Sequence, residues 1–414
     1  MPASPDPVAL AARGPWRAVA RGTGLLAADP AGGERIAPTI FAEMSALAAR
    51  TGAINLGQGF PDVDGPAFIA DAAIAAIRAG RNQYPPGDGI AELRQAVAAH
   101  QARHYGLAVD PDAEVLVTTG ASEGLAAALL ALVEPGDEVI TLEPFYDLHA
   151  ACIALAGATH VPVALRPTPD GFRLDVEALR AAASARTRLI LVNDPHNPTG
   201  AVLTAGELEA IAVVARERDA IVLTDEVYEH LCYDDATHLP IATLPGMADR
   251  TLTVSSSGKT FSFTGWKIGW VVGPAALVTA VRTVKQFLTY VSGAPFQPAI
   301  AQALADDQSP RELARSLAAR RDLLCDGLAA AGFAVTRPRG TYFVVADGAG
   351  LGFPDGADLA RRLPDLAGVV GIPLTAFCRP GSPTWQALRS SVRFTFVKRE
   401  EVLREAVTRL ARLG

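Results

Sequence analysis

Lysine is rare in this chain of 414 residues, although lysine and arginine together number 37. Only Lys259, Lys267, Lys285 and Lys398 carry a primary amine on the side chain. Chemistry that needs such an amine is therefore excluded almost everywhere else. Two of the four, Lys259 and Lys267, lie in one unusual segment, which makes that segment a candidate for amine chemistry.

Cysteine is equally scarce, and its spacing excludes two kinds of site. Cys152, Cys232, Cys325 and Cys378 lie far apart, and no pair has the C-x-x-C pattern. Neither a cysteine zinc site nor a disulfide framework follows from such spacing. We expect buried free thiols and no metal site.

An excess of basic residues and a long apolar run are also missing. The formal net charge is −7, whereas a nucleic-acid partner usually requires a basic face. The longest apolar run, 125–133, is far shorter than the roughly 20 residues that span a bilayer. Residues 1–34 contain no hydrophobic core of a secretion signal. We therefore expect a cytoplasmic protein without nucleic-acid or membrane partners.

What is present predicts an α/β fold. Near-continuous apolar runs alternate with helix-like segments, at 114–120, 137–144, 159–165, 187–194, 220–227, 251–257 and 267–273. Such runs are typical of strands buried on both faces of a parallel sheet. We expect a mostly parallel seven-stranded sheet with one antiparallel strand, because the last two runs are too close for a crossover helix. A capping box of Thr204 and Glu207 predicts the start of one helix.

The chain is predicted to have two domains and an N-terminal arm. Residues 1–35 are rich in Pro, Gly and Ala and predict a poorly ordered arm. Residues 67–295 form the predicted large domain, and 296–414 a smaller α+β domain with strands near 333–338, 340–347 and 391–398. The segment 36–66 is expected to join the small domain.

Polar groups follow several of the predicted strands, where ligands bind in open α/β sheets. These groups are Ala121, Ser122, Asn197, Asp225, Tyr228, Ser256, Lys259 and Lys267. A helix start, an amide, a carboxylate, a phenol and a lysine at one rim suit pyridoxal 5′-phosphate. Its aldehyde needs a neutral lysine for a Schiff base, which Lys259 supplies, and its ring nitrogen needs a carboxylate, which Asp225 supplies.

The other groups match the remaining parts of that cofactor. Asn197 and Tyr228 suit the ring oxygen, and Tyr146 is placed to stack on the ring. The phosphate dianion is attracted by a helix N-terminus, hydroxyl groups and cations. Ala121, Ser122, Ser256 and Lys267 provide these.

Two other interpretations compete for the same residues. Residues 120–124 read G-x-S-x-G, the nucleophile elbow of α/β-hydrolases, with Asp225 and either His230 or His238 downstream. No HGGG-type segment precedes it, and Lys259 and Asn197 would have no role. A P-loop ending at Lys259 is excluded, because position 253, where it needs glycine, is threonine.

The sequence resembles the class I/II aminotransferases of fold type I. The motifs that carry the resemblance are NLGQGFPD (55–62), NQYPPGDG (82–89), EPFYD (143–147), NDPHNPTG (193–200), TDEVYEHL (224–231), SSSGKTFSFTGWKIGW (255–270) and VRFTFVK (392–398). They cover residues 36–410 in the family's order, and the lysine segment is highly specific. A regulator that binds the same cofactor would need an N-terminal winged helix, for which the arm is too short.

The resemblance implies catalytic roles for Lys259, Asp225 and Tyr228, with Lys259 moving the proton during amino transfer. It implies that Ser256 and Lys267 bind the phosphate and that Arg393 binds the substrate α-carboxylate, since its guanidinium can make a two-pronged contact. Gly57 would let the backbone approach that substrate. Asn197 would contact both cofactor and substrate.

Family members are usually homodimers with shared sites, so Tyr84 would reach the partner's phosphate. The substrates would be an amino acid and a 2-oxo acid in a ping-pong mechanism. The closest likeness within the family is to actinobacterial N-succinyldiaminopimelate aminotransferases, which implies a role in lysine biosynthesis with 2-oxoglutarate as acceptor.

The alternative within the family is a broad methionine, glutamine or kynurenine transaminase with cysteine-conjugate β-lyase activity. One residue departs from the family pattern: Asp194 stands where relatives commonly carry Thr or Ser. It either changes the electrostatics of the site or caps the turn before Pro195.

Overall fold

The computed structural model describes residues 14–28 and 34–413. Its strands are β1 Leu26–Ala28, β2 Glu34–Ile36, β3 Ile54–Asn55, β4 Val115–Thr119, β5 Glu138–Glu143, β6 Thr159–Thr168, β7 Gly171–Leu174, β8 Thr187–Asn193, β9 Ile221–Asp225, β10 Thr251–Ser256, β11 Ile268–Val272, β12 Ala334–Thr336, β13 Phe343–Asp347, β14 Val369–Val370, β15 Ile372–Pro373 and β16 Ser391–Thr395. The helices are α1 Trp16–Gly22, α2 Ile40–Thr51, α3 Ala67–Arg78, α4 Ala91–Tyr105, α5 Gly120–Leu132, α6 Asp147–Leu155, α7 Val176–Ala182, α8 Ala205–Glu217, α9 Ser257–Thr260, α10 Ala275–Lys285, α11 Phe296–Ala303, α12 Gln308–Ala330, α13 Gly356–Ala367, α14 Pro383–Ala387 and α15 Glu400–Leu410. The fold is α/β.

A central sheet organises the large domain, in the strand order β4-β11-β10-β9-β8-β5-β6-β7. All seven predicted strands are confirmed, and β11 is the predicted antiparallel strand, pairing with both β10 and β4. The sheet has an eighth strand that the sequence did not predict. This strand, β7, is a four-residue partner of β6 at the edge, too short to show a hydrophobic period.

Both faces of the central sheet are buried, which explains its near-continuous apolar strands. In β8, Leu189 and Leu191 pack into one core cluster with Leu125 of α5, while Ile190 and Val192 pack into another cluster on the opposite face. Successive side chains of a strand point to opposite faces, so a strand covered on both sides must be apolar throughout.

A second sheet, β12-β13-β16-β15, is antiparallel and forms the core of the smaller α+β part. The three strands predicted after residue 333 are confirmed as β12, β13 and β16. The segment before the large domain is attached to this part, because β3 pairs with β14 and the Thr395 amide donates to the Leu56 carbonyl oxygen at 2.8 Å. This attachment brings residues 57–60 close to β16.

The N-terminal residues differ from the predicted poorly ordered arm. Trp16–Gly22 form helix α1, which packs on α6, and β1 pairs with β2 in a hairpin. A Cβ atom at Gly22 would lie 3.3 Å from the Ala154 Cβ, so glycine permits this close approach. The contact is long-range and leaves no local pattern. Residues 1–13 and 29–33 of the predicted arm lie outside the described residues.

Three smaller observations complete the fold. The predicted capping box at α8 is confirmed, with the Thr204 side chain accepting from the Glu207 amide and Glu207 accepting from Thr204. The cysteines are free thiols; Cys152, Cys325 and Cys378 are buried and Cys232 is partly exposed. Within the ranges 14–28 and 34–413, no helix is long and apolar enough to cross a membrane.

Candidate functional site

A cavity of about 370 Å³ lies at the edge of the central sheet where β8, β9 and β10 end. Most of the residues predicted for the site line it, namely Ala121, Ser122, Tyr146, Asn197, Asp225, Tyr228, Ser256, Lys259, Lys267 and Arg393. Residues of the N-terminal segment and of the smaller part of the chain close its other side. The cavity therefore lies between the two parts.

Lys259 belongs to the one-turn helix α9, which follows β10 directly. Its Nζ lies 5.9 Å from the ring centre of Tyr228 and 5.8 Å from that of Tyr342. Among the described residues no carboxylate forms a salt bridge with it, so its amine is available for chemistry in the cavity.

Asp225 ends strand β9 and is buried, and only one of its carboxylate oxygens has a partner. Oδ2 lies 3.2 Å from His149 Nε2, whereas Oδ1 has no hydrogen-bond partner among the described residues. An unpaired buried oxygen is costly, and a protonated ring nitrogen would satisfy it. Asp225 therefore fits the pyridinium group of pyridoxal 5′-phosphate.

His149 is a site residue that the sequence analysis missed. It lies in the first turn of α6, three residues after Tyr146, and its ring packs edge-on against the Tyr146 ring. Only folding brings α6 to the end of β9. The available signal was the position of this helix, which begins just after the end of β5.

The start of helix α5, called the α5 cradle below, presents backbone amides to the cavity without a side-chain cap. Gly120 has φ +66°. A Cβ atom at Gly269 of β11 would lie 2.6 Å from the Gly120 carbonyl carbon and 2.8 Å from the Ala121 nitrogen. Glycine at position 269 therefore lets the helix start lie against the strand. The N-terminal amides and the nearby Lys267 amine suit a phosphate group.

Arg393 is a buried cation in β16. Its guanidinium donates to the Asn197 Oδ1 at 2.9 Å and to the Gly57 carbonyl oxygen at 2.8 Å, and it lies 3.9 Å from the Phe343 ring centre. Burial lowers the pKa of Arg393 to about 10, which still leaves it charged at neutral pH. No described carboxylate forms a salt bridge with it, so the group can bind a carboxylate from a ligand.

Two predicted residues do not line the cavity. Gly57 contributes a carbonyl oxygen to Arg393, and a Cβ atom there would lie 2.8 Å from the Ile372 Cδ1, so glycine serves packing at this position. Tyr84 is 84% exposed and touches Tyr290 edge-on. Their predicted contacts with substrate and with a partner's phosphate stay predictions.

The side of the cavity that contains Arg393 holds further residues that the sequence analysis missed. They are Phe41, Gln58, Gly59, Phe60 and Phe343. Tyr342 supports this wall, since its hydroxyl donates to the Gly59 carbonyl oxygen at 2.6 Å. Gly59 and Phe60 lie within the motif 55–62, but only the packing of this segment on β16 shows that they line the cavity.

The hydrolase interpretation fails on geometry. His230 shares a hydrogen bond with His100, and His238 lies between Asp194 and Glu226. Neither of these histidines lines the cavity that contains Ser122. The G-x-S-x-G segment therefore has no general base from either candidate.

Asp194 caps the loop that follows it. Its Oδ1 accepts from the Leu203 amide at 2.8 Å, and its Oδ2 lies 3.2 Å from His238 Nδ1, while His238 Nε2 lies 2.9 Å from Glu226 Oε2. Asp194 does not line the cavity. Asp194 therefore fixes a more distant part of the loop instead of the turn before Pro195, and its carboxylate also pairs with a buried histidine.

Comparison with known proteins agrees with this geometry. The family model "Aminotransferase class I and II" matches residues 51–410. The chain is 55% identical to "Probable N-succinyldiaminopimelate aminotransferase DapC" of Mycobacterium tuberculosis, over 91% of this chain and 96% of the relative. It is 37% identical to the methionine aminotransferase of Escherichia coli K12, over 92% of this chain and 97% of that protein. The solved structure of the N-succinyldiaminopimelate aminotransferase from M. tuberculosis matches with a TM-score of 0.89 and 55% identity, over 91% of this chain and 98% of that one.

The buried His238 predicts a specific pH dependence of stability. Burial opposes its charge, but the Glu226 and Asp194 carboxylates outweigh burial and raise the pKa of His238 to about 10. The bound proton therefore stabilises the fold fully below the ordinary pKa of about 6.5, and this contribution is lost as the pH rises towards 10. We expect the free energy of unfolding, measured with urea, to fall between pH 7 and 10.

In the variant His238→Gln, the free energy of unfolding should fall less steeply between pH 7 and 10. The variant should also be destabilised at pH 7 by about 3–5 kcal/mol, since it leaves buried carboxylates unpaired. His160→Gln is the matched control, because burial lowers the pKa of His160 to about 3 and the group stays neutral throughout. A slope unchanged in His238→Gln would contradict the assignment.

Proposed function

The chain belongs to the family of class I and II aminotransferases, and we propose that its amino donor is N-succinyl-LL-2,6-diaminopimelate and its amino acceptor 2-oxoglutarate. The observation that carries the choice of donor is the 55% identity to the mycobacterial relative across 91% of this chain. A relative named as a methionine aminotransferase is 37% identical. Methionine, glutamine or kynurenine is therefore the alternative donor.

The proposed cofactor is pyridoxal 5′-phosphate, and three observations support it. The Asp225 Oδ1 lacks a partner among the described residues, the α5 cradle is uncapped, and Lys259 lines the same cavity. When bound, this cofactor supplies a protonated pyridine ring that takes up the electron pair released from the substrate α-carbon. Asn197 and Tyr228 would face its ring oxygen, Ser256 and Lys267 its phosphate, and Tyr146 its ring.

The protein's own groups then have distinct tasks. Asp225, oriented by His149, keeps a proton on the ring nitrogen, as a carboxylate fixed by a second residue does best. The Lys259 Nζ would remove the proton from the substrate α-carbon and deliver it to the carbon on the other side of the amino nitrogen. Burial raises the pKa of the Tyr228 phenol well above its usual value, and the nearby Tyr342 raises it further, so Tyr228 keeps its proton and donates a hydrogen bond.

Arg393 explains why one cavity can serve both half-reactions. An α-amino acid and a 2-oxo acid both carry a carboxylate beside the reacting carbon, and the described lining of the cavity offers one buried guanidinium for it. The two substrates would therefore occupy the same place in turn, which is a ping-pong mechanism.

The rest of the donor would lie against an aromatic wall. Phe41, Phe60 and Phe343 line the substrate side, and Phe60 is 50% exposed at the mouth. The methylene chain of diaminopimelate can pack on these rings and carry its succinyl group outward. The chain of methionine can use the same rings, so kinetics must separate the two donors.

We expect N-succinyl-LL-diaminopimelate to convert the yellow holoenzyme to its colourless amino form faster than methionine or kynurenine does. The measurement is the stopped-flow loss of the cofactor's absorbance in a single turnover, with each donor mixed separately. Lys259→Ala is the control and should show no turnover with any donor. Equal rates for methionine or kynurenine would make the enzyme a general transaminase.

The variant Arg393→Ala should lower kcat/KM for α-amino acids by about 10- to 150-fold, which corresponds to the roughly 1.5–3 kcal/mol of a charge-assisted hydrogen bond. A primary amine without a carboxylate, assayed as a slow substrate, should lose much less. Arg393→Lys keeps the charge but not the two-pronged geometry, so its kcat/KM for α-amino acids should lie between those of the wild type and of Arg393→Ala. An equal loss for the amine would refute the carboxylate role.

We propose that the enzyme is a homodimer with shared sites. Tyr84 and Phe287 are 84% and 86% exposed, and Leu288 and Tyr290 lie beside them in the same surface patch. Thr119, which precedes the α5 cradle, touches Thr289 and Ser292 of this segment. An apolar patch beside the cradle suits a second copy that brings its own Tyr84 to the phosphate.

Hybrid dimers test this arrangement. Tyr84→Ala and Lys259→Ala chains, co-expressed with different tags and purified as hybrids, should regain activity that neither homodimer has. One site of such a hybrid combines an intact Lys259 with an intact Tyr84 from the other chain. Hybrids of Asp225→Ala and Lys259→Ala are the control and should stay inactive, since both residues belong to the same chain's site. A monomeric mass in sedimentation would refute the dimer.

A further inference from the structure

A second cavity of about 430 Å³ lies apart from the first and shares no lining residue with it. Three of the seven histidines of the chain, His100, His104 and His230, line this second cavity. The reaction described above uses none of them. Their function therefore has to be sought in the cavity itself.

The three rings converge in space. His100 and His104 are four residues apart on α4 and so share one face of that helix, and His230 comes from the loop after β9. One ring nitrogen of each histidine lies within 4.8 Å of those of the other two. Two imidazoles one helical turn apart, joined by a third from another segment, are a common arrangement of metal ligands.

We propose that His100, His104 and His230 bind one divalent transition-metal ion, with Zn²⁺ as the representative of that class. Imidazole nitrogen is a preferred ligand of zinc, and three histidines leave a position for water from the cavity. The His100 Nε2 and His230 Nε2, now 2.8 Å apart, would have to separate to about 3.3 Å for tetrahedral zinc with Zn–N bonds of about 2.0–2.1 Å. Side-chain rotation at the edge of a cavity can supply this small shift.

The surroundings of the three rings suit metal binding. Burial lowers the pKa of His100 to about 4 and also lowers that of His230, which favours the neutral imidazole that a metal ion requires. Asp307 lies 3.1 Å from the His104 Nε2, and a carboxylate is the usual partner of a metal-binding histidine.

A bound ion would connect separate parts of the molecule. It would link α4 to the loop that carries Tyr228, and through Asp307 to the start of α12. Arg103 already bridges α4 to Asp307 with a bidentate contact. The ion would thus stabilise the structure behind the active site without taking part in amino transfer.

Tag-free holoenzyme, dialysed against a chelator that leaves the organic cofactor in place, provides the test. Zn²⁺ is titrated in competition with a chromophoric chelator. We expect one tight site per chain, at least tenfold weaker binding in both His104→Gln and His230→Gln, and unchanged binding in Arg315→Gln. Arg315 lines the same cavity and has no ligand atom for zinc, so it is the matched control.

A second measurement does not depend on the variants. Co²⁺ added to the wild-type holoenzyme should give the intense visible bands of a four- or five-coordinate ion bound by imidazole. Weak bands typical of hydrated Co²⁺, or zinc binding that is unchanged in both histidine variants, would overturn the proposal. Transaminase activity is recorded separately, so failure of the metal site would leave the proposed reaction untouched.

Discussion

The active site depends on one buried positive charge without a counter-charge. Arg393 is 1% exposed, and its hydrogen bonds go to neutral oxygens of Asn197 and Gly57. Each of the three residues lies in a different part of the chain: the small sheet, the loop after β8 and the N-terminal segment. Burying a guanidinium costs solvation energy, and an anionic ligand would recover part of it. This cost agrees with the proposed role of Arg393 in binding the substrate carboxylate.

A second constraint is the close contact of two backbones. Gly269 lets β11 lie against the start of α5, and this contact places the helix amides and Lys267 at one end of the cavity. Asp225 with its open oxygen lies in the same cavity. The N-terminus of α5 with Lys267 suits a phosphate, and the Asp225 Oδ1 suits a protonated ring nitrogen. The buried Arg393 suits a carboxylate, so one ligand that carries all three groups would match the cavity.

Several buried histidines lie behind the site, and their neighbours differ. His149 has a carboxylate on one side, whereas His238 lies between two carboxylates and keeps its proton. His100 and His230 have mainly other rings as neighbours, and burial lowers the pKa of both. The same residue type therefore serves as an orienting group, a structural cation and a candidate metal ligand.

The sequence by itself determined the central sheet and most of the residues that line the cavity. It could do so because strands covered on both faces must be apolar throughout, and because ligands bind where such strands end. Only the tertiary structure decided that His149 supports Asp225, that His238 neutralises Asp194, and that His230 meets His100 across 130 positions of the chain. Helix α1 and strand β7 were also apparent only in the tertiary structure. Each of these depends on contacts between distant segments, which leave no periodic or spaced pattern in the chain.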